Sequence, residues 1–278
     1  MRISYENWEP PHVSHSTING WVDCGLRTKL QKVYKIEQRP GLAAAGGNAV
    51  HTATELYDQG EGDDPADLFK RGWAAALEKN KEYSPNYGVE DYVVTGRASA
   101  QYGGKRNIDW WMDNGPGLVQ KWIDWRERNP EWHIWETPDG VPAIELELSI
   151  ELPGDIVVKG FIDRVMVTPA GQLAPLDLKT GRSPETAEQL GLYATGMELT
   201  YGEMYRPMWG YWWDAQKGEH SSPLLLDAYT PQYLADRYSQ AINGINAGVF
   251  LAKPANSCSN WCGVSAFCPA VGGTLPSS

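Results

Sequence analysis

The stretch G-F-I-D-R-V-M-V-T-P-A-G-Q-L-A-P-L-D-L-K-T-G, residues 160–181, leaves few choices for local structure. Pro169 and Gly171 mark a turn, and the residues on either side read as two neighbouring strands. On the first, Val157, Lys159, Phe161, Asp163 and Val165 fall on one face; on the second, Asp177 and Lys179 are two apart and share a face. A carboxylate set among Phe161 and Val165 is costly to bury unless something neutralises it. A divalent cation held by Asp163 and Asp177, with Lys179 beside it, would do so. A surface hairpin with one Asp–Lys ion pair is the plainer reading, and a D-x-K triplet alone does not separate the two.

The flanking sequence supplies the rest of a fold. Before the hairpin, Ile144, Leu146, Leu148 and Ile150 alternate with Glu145, Glu147, Ser149 and Glu151, the pattern of a half-buried strand. After it, Ser183-Pro184-Glu185 opens a helix to about Leu199 that sets Gln189 and Tyr193 one turn apart. Arg206–Asp214 and Pro223–Tyr229 read as further strands, and Thr230-Pro231 starts a last helix. Upstream, a helix is expected from Ser14 or Ser16 to about Gln38, with Lys32, Lys35 and Arg39 on one face. A second begins near Gly47 and carries His51 and Glu55 four residues apart. Residues 61–140 read as a helical insertion in which Trp110, Trp111, Trp122 and Trp125 form a small core or stack on single-stranded bases.

The 278 residues suffice for one large domain, and a net charge of −11 argues against a general polyanion binder. A nuclease stays open, because a carboxylate-rich metal site adds negative charge that bound cations offset. No apolar run reaches membrane-spanning length and the N-terminus lacks a signal-peptide pattern, so a cytoplasmic chain with no membrane partner is expected. The four cysteines, Cys24 and a Cys258/Cys262/Cys268 trio, are then poor disulfide candidates. An iron–sulfur cluster, structural zinc and four unrelated thiols all remain open readings.

In order along the chain, these landmarks resemble the RecB-like branch of the PD-(D/E)XK nucleases. They are most similar to the iron–sulfur exonucleases related to the CRISPR-associated RecB-like nucleases, many of them phage-encoded. Cys24 is followed by Arg27. Then come Gly47, His51 and Glu55; the G-x-I-D of Gly160–Asp163; the D-x-K-T-G of Asp177–Gly181; Gln189 with Tyr193; and the cysteine trio, whose C-x3-C opening departs from the commoner C-x2-C.

The resemblance implies a restriction-endonuclease-like α/β core: a mixed central sheet flanked by helices, as one domain over 1–278 with the 61–140 insertion. It implies that Cys24, Cys258, Cys262 and Cys268 hold a [4Fe-4S] cluster, with structural Zn²⁺ as the alternative, joining Cys24 to segment 250–278. It makes Asp163, Asp177, His51 and the Leu178 carbonyl ligands of Mg²⁺ or Mn²⁺, and Lys179 the catalytic lysine beside the two acids. Glu55 supports His51, and Gln189, Tyr193 and Arg27 contact DNA. The implied activity is metal-dependent exonuclease action on single-stranded DNA ends in recombination, repair or replication, with a recombinase or single-strand-binding protein as possible partner. If the chain is phage-encoded, the place of action is the host cytoplasm. The alternative is a DNA-end binding or spacer-capture subunit with little activity of its own.

Overall fold

Alternating burial runs through residues 147–152 as the sequence pattern requires, with Leu148, Ile150 and Leu152 buried and Glu147, Ser149 and Glu151 exposed, while Ile144, Glu145 and Leu146 are all half-buried. A computed structural model describes residues 1–94, 104–256 and 258–275. Part of the 61–140 insertion (residues 95–103) and Ser257 and 276–278 of the C-terminal segment lie outside the described residues. The helices are α1 (His15–Asp23), α2 (Gly25–Lys32), α3 (Leu42–Asp58), α4 (Pro65–Tyr83), α5 (Ile108–Arg128), α6 (Glu188–Tyr201), α7 (Pro231–Asn246) and the short α8 (Cys258–Trp261). The strands are β1 (His133–Ile134), β2 (Ile144–Leu152), β3 (Ile156–Val167), β4 (Leu173–Lys179), β5 (Trp209–Asp214), β6 (Glu219–His220) and β7 (Leu224–Leu225). Chain segments gather into two compact units: Met1–Tyr5, Glu9–Asn19 and Lys121–Ala247 form one, and Glu6–Trp8, Gly20–Gln120 and Gly248–Ser278 form the other.

All seven strands belong to the first unit. The sheet runs β1-β3-β4-β5-β6, with β2 also paired to β3 and β7 to β5. Every pairing is antiparallel except β4 with β5, so the α/β core carries a mixed sheet. The expected hairpin is present: Val167 pairs with Leu173, and Gly171 takes φ +73° in the turn. Parallel strands need a crossover, and α6 supplies it between β4 and β5. The middle of this helix, from Leu190 to Met197, is buried all round, as a helix packed against a sheet and covered in turn must be. Gly196 lets it seat on the sheet, since a Cβ there would come within 2.1 Å of Leu148.

Of the four tryptophans singled out in the sequence, Trp111, Trp122 and Trp125 are core, while Trp110 is half-buried. Trp122, at the end of α5 that belongs to this unit, is fully buried; it stacks on Trp125 at 5.2 Å and meets Trp213 edge-on at 5.0 Å. Trp125 and Tyr211 close around Trp132, so Trp122 and Trp125 do not serve as base-stacking platforms. Two strands are shorter than the sequence suggests. Arg206 leaves the ladder to bind Glu198 and the Tyr229 carbonyl, so β5 starts at Trp209. Of Pro223–Tyr229, only Leu224–Leu225 pair.

The second unit is helical among its described residues. Close packing of α3 on α4 depends on Gly72, where a Cβ would lie 2.2 Å from the Ala49 carbonyl oxygen. Asp64 caps α4 by accepting from the Ala66 N–H at 2.8 Å, ahead of Pro65. The single helix expected over 14–38 is broken at Cys24, which is extended (φ −158°, ψ 98°) between α1 and α2. Helix α2 ends at Lys32 and Lys35 takes φ +51°, so Lys32, Lys35 and Arg39 do not share a helical face. No helix among the described residues is long and apolar enough to cross a membrane.

Candidate active site

Strand β4 ends in Asp177-Leu178-Lys179, and its side chains enter a closed ring of hydrogen bonds with α6. Lys179 Nζ lies 2.5 Å from Asp177 Oδ2 and donates to Gln189 Oε1 at 3.2 Å. Gln189 Nε2 donates to the Tyr193 hydroxyl at 2.6 Å, and that hydroxyl donates to Asp177 Oδ1 at 3.2 Å. Each member has one consistent orientation: the Gln189 amide must present oxygen to the lysine and nitrogen to the tyrosine. The ring holds the ammonium at a set position, where it also sits 4.9 Å from the Trp212 ring centroid. Asp177 is 1% exposed and Lys179 is 22% exposed, so the amine is the member that opens toward solvent.

Asp163 stands beside this ring. The β3–β4 register ends at Arg164–Leu176, and its next step sets Asp163 against Asp177. The Leu178 N–H donates to Asp163 Oδ2 at 2.8 Å, while the buried Arg164 guanidinium turns back to the Asp163 carbonyl at 2.5 Å. Burial pushes the Asp163 carboxyl above the usual carboxylate range; the Leu178 N–H, Lys179 and Arg164 pull it partly back. Burial also drives the Tyr193 phenol well above its ordinary value, with Asp177 and Asp163 adding to the shift. That phenol therefore stays a donor across the neutral range.

Glu145 was read from sequence only as the polar face of a strand. Pairs Ile144–Arg164 and Leu146–Ile162 bracket it opposite Asp163, and their carboxylate oxygens come within 4.8 Å. Its backbone takes φ +47°, a left-handed conformation costing about 1–3 kcal/mol for a non-glycine residue. Strain of this kind concentrates at functional positions. The available signal was the E-L-E run one strand before G-x-I-D, but alternation alone made Glu145 look like its solvent-facing neighbours.

The remaining expected residues lie in the helical unit. His51 is half-buried on α3, and its carbonyl accepts from the Thr54 hydroxyl at 2.8 Å. Glu55, one turn on, accepts from Gln59 at 3.1 Å. Arg27 pairs with Asp23 at 2.9 Å and lines one cavity with Cys24, Cys258, Cys262 and Cys268. All four cysteines are free thiols. Two close backbone approaches bring their segments together. A Cβ on Gly25 would lie 2.9 Å from Leu251 N, and one on Gly263 would lie 2.3 Å from the Arg39 carbonyl oxygen. Hydrogen bonds Leu26 N–H to Leu251 and Arg39 N–H to Gly263 fix both approaches. Burial raises the Cys262 thiol above its ordinary value, and the neighbouring Cys258 and Cys24 add to the shift.

Two phage proteins are similar to this chain along nearly their whole length. The "Gene 69 protein" of Mycobacterium phage D29 is 33% identical over 269 residues, covering 93% of this chain and 97% of the relative. The "Gene 69 protein" of Mycobacterium phage L5 is 31% identical over 289 residues, covering 93% and 96%. The sequence pattern of the PD-(D/E)XK nuclease superfamily matches residues 12–269, which takes in both acids, the lysine and the Gln189–Tyr193 pair. The chain belongs to the PD-(D/E)XK nuclease superfamily, whose shared chemistry is metal-dependent phosphodiester hydrolysis.

Proposed function

We propose that this protein is a RecB-like, Mg²⁺- or Mn²⁺-dependent exonuclease that degrades DNA from single-stranded ends. The observation that carries this reading is the hydrogen-bonded ring holding Lys179 beside Asp163 and Glu145. Two carboxylates this close repel, and a hard divalent cation is what such a donor set accommodates. Glu145, Asp163, Asp177 and the Leu178 carbonyl supply oxygen ligands. His51, supported by Glu55, is the further ligand that the family resemblance implies, and its nitrogen would favour Mn²⁺. When bound, the ion acidifies a water and polarises the phosphoryl oxygen. Lys179 donates to the charge developing on the phosphate or orients the attacking water. Tyr193 and Gln189 keep Asp177 and Lys179 in register during that step, and lie where the DNA strand passes.

The four thiols are assigned to an iron–sulfur cluster, [4Fe-4S] by count, with structural Zn²⁺ as the alternative. Its role is to tie the Cys24 segment to the C-terminal segment. Arg27 serves the edge of that pocket and contacts DNA phosphates. The relatives are mycobacteriophage proteins, which fits a place of action in the host cytoplasm. Recombination, repair or replication is the process we assign, with a recombinase or single-strand-binding protein as partner.

Incubation with end-labelled single- and double-stranded DNA, with Mn²⁺, Mg²⁺ or chelator, tests the activity. Loss of label as mononucleotides, faster on single strands and abolished by chelator, is expected. A protein that binds ends in the presence of either metal without shortening them would instead be the spacer-capture type of subunit.

A further inference from the structure

A cavity of about 680 Å³ opens beside the ring, within the unit that carries the sheet. Gln189 and Tyr193, two members of the ring, form part of its wall, so it adjoins the candidate active site. From the other side it is bounded by the segment from His12 to Asn19 and by Lys159 and Phe161 of β3.

Phe161 is the anomaly. It is 56% exposed at the middle of a strand whose other apolar side chains are mostly buried. It stands two residues from Asp163, hence on the same strand face and about 7 Å along it. An exposed phenyl ring fixed within one nucleotide's reach of a metal-binding carboxylate is a stacking platform. The rest of the lining is chemically suited to a base and sugar rather than to a run of phosphates. Ser14, Ser16 and Asn19 offer uncharged hydrogen-bonding groups, with the His12 and His15 rings and the Glu147 carboxylate beside them. Burial, with Lys179 and Arg237 nearby, holds His15 down to about 4, so its ring is neutral at working pH. Its Nδ1 lies 3.2 Å from the Tyr238 hydroxyl and its Nε2 lies 2.7 Å from the Asn19 amide nitrogen, which fixes the ring in place. One lysine lines the cavity, Lys159, and it is only loosely paired with Glu147 at 4.0 Å. A single available cation matches a single phosphate.

We infer that this cavity seats one unpaired nucleoside of the strand flanking the scissile phosphate, with its base stacked on Phe161 and its phosphate met by Lys159. The inference rests on the nuclease reading and deepens it: the substrate must offer an unstacked base next to the cleavage point. The volume lies in the range of small-ligand sites, about 300–1,000 Å³, which suits a single nucleoside.

The test uses the full-length protein, wild type and Phe161→Ala, with a single-stranded oligonucleotide carrying 2-aminopurine at its terminal positions. Binding in chelator is read by quenching of the 2-aminopurine, and is independent of hydrolysis. Stacking on an aromatic ring is worth on the order of tenfold in affinity. Phe161→Ala is therefore expected to remove the quench and raise KM about tenfold with little change in kcat, and Phe161→Trp to restore both. An abasic residue at the flanking position should abolish the difference between wild type and Phe161→Ala. Quenching and KM that are the same in both proteins would overturn the inference while leaving hydrolysis, and so the nuclease reading, intact. Absence of hydrolysis in every protein, with quenching still dependent on Phe161, would sink the nuclease reading and leave a base-binding pocket.

Discussion

The acid site and the thiol pocket are each built from residues distant in sequence, but they are held by different forces. Asp163, Asp177 and Glu145 stand on strands whose positions are set by ladder hydrogen bonds, and Lys179 is fixed by three side-chain partners. The cysteines stand at helix ends and on short turns: Cys24 caps α2, Cys258 opens α8, and Cys268 precedes a single 3₁₀ turn. Their segments meet through close approach at Gly25 and Gly263, with few hydrogen bonds between them. The difference teaches what each site owes to the fold. Ladder hydrogen bonds position the charges of the first. On the proposed reading the thiols of the second hold a metal centre, whose binding energy there would be folding energy.

The sharpest break of this comparison is functional. Lys179→Ala is expected to lower kcat on the order of 10³-fold while leaving the fold unchanged, checked by single-turnover hydrolysis with Mn²⁺ and by circular dichroism. Next comes stability, where the two sites should respond with opposite sign. Cys262→Ala should lose bound metal, measured by elemental analysis, and lower Tm by roughly 10 °C. Asp163→Asn should leave Tm in chelator unchanged or raise it. Burial raises the Asp163 carboxyl pKa, so ionising it costs stability as pH rises through the ordinary value of 3.8, and a neutral amide removes that cost.

His15 tests the frame of the acid unit. Its folded value is held near 4 against an ordinary 6.5, so the unfolded chain takes up a proton that the folded chain refuses. Its stabilising contribution is present above pH 6.5 and is lost as pH falls toward 4, by at most about 3 kcal/mol. Urea unfolding of His15→Gln should show that part of the acid slope removed. Smallest is Tyr193→Phe, which deletes the donor to Asp177 and the acceptor for Gln189. We expect about a tenfold fall in kcat with KM little changed, since each of the two orienting hydrogen bonds is worth roughly 0.5–1.5 kcal/mol.

The sequence carried the acid site's core because its spacing is a strand's spacing. A two-position step from Asp177 to Lys179 and one turn between Gln189 and Tyr193 fix faces without knowledge of tertiary structure. The hairpin was legible for the same reason, with Pro169 and Gly171 as its turn. Glu145 was not legible. Its register opposite Asp163 depends on strand pairing, and its left-handed backbone breaks the alternation used to read β2. Cys24 likewise looked like the middle of a helix, because nothing local announces that Gly25 must approach Leu251. His15 carried no signal in the sequence; its burial against Tyr238 comes from a helix more than two hundred positions away. The tryptophans could have been platforms or filler on composition alone, and packing decided it.

The central claim is that Glu145 and Asp163 form the heart of a divalent-ion site beside Lys179. Electron paramagnetic resonance of Mn²⁺ titrated into the protein tests it most directly. We predict that the free-ion signal is suppressed by the wild-type chain and by Lys179→Ala, and returns when Asp163→Asn or Glu145→Gln is titrated. Equal Mn²⁺ uptake by the wild type and both carboxylate variants would contradict the account.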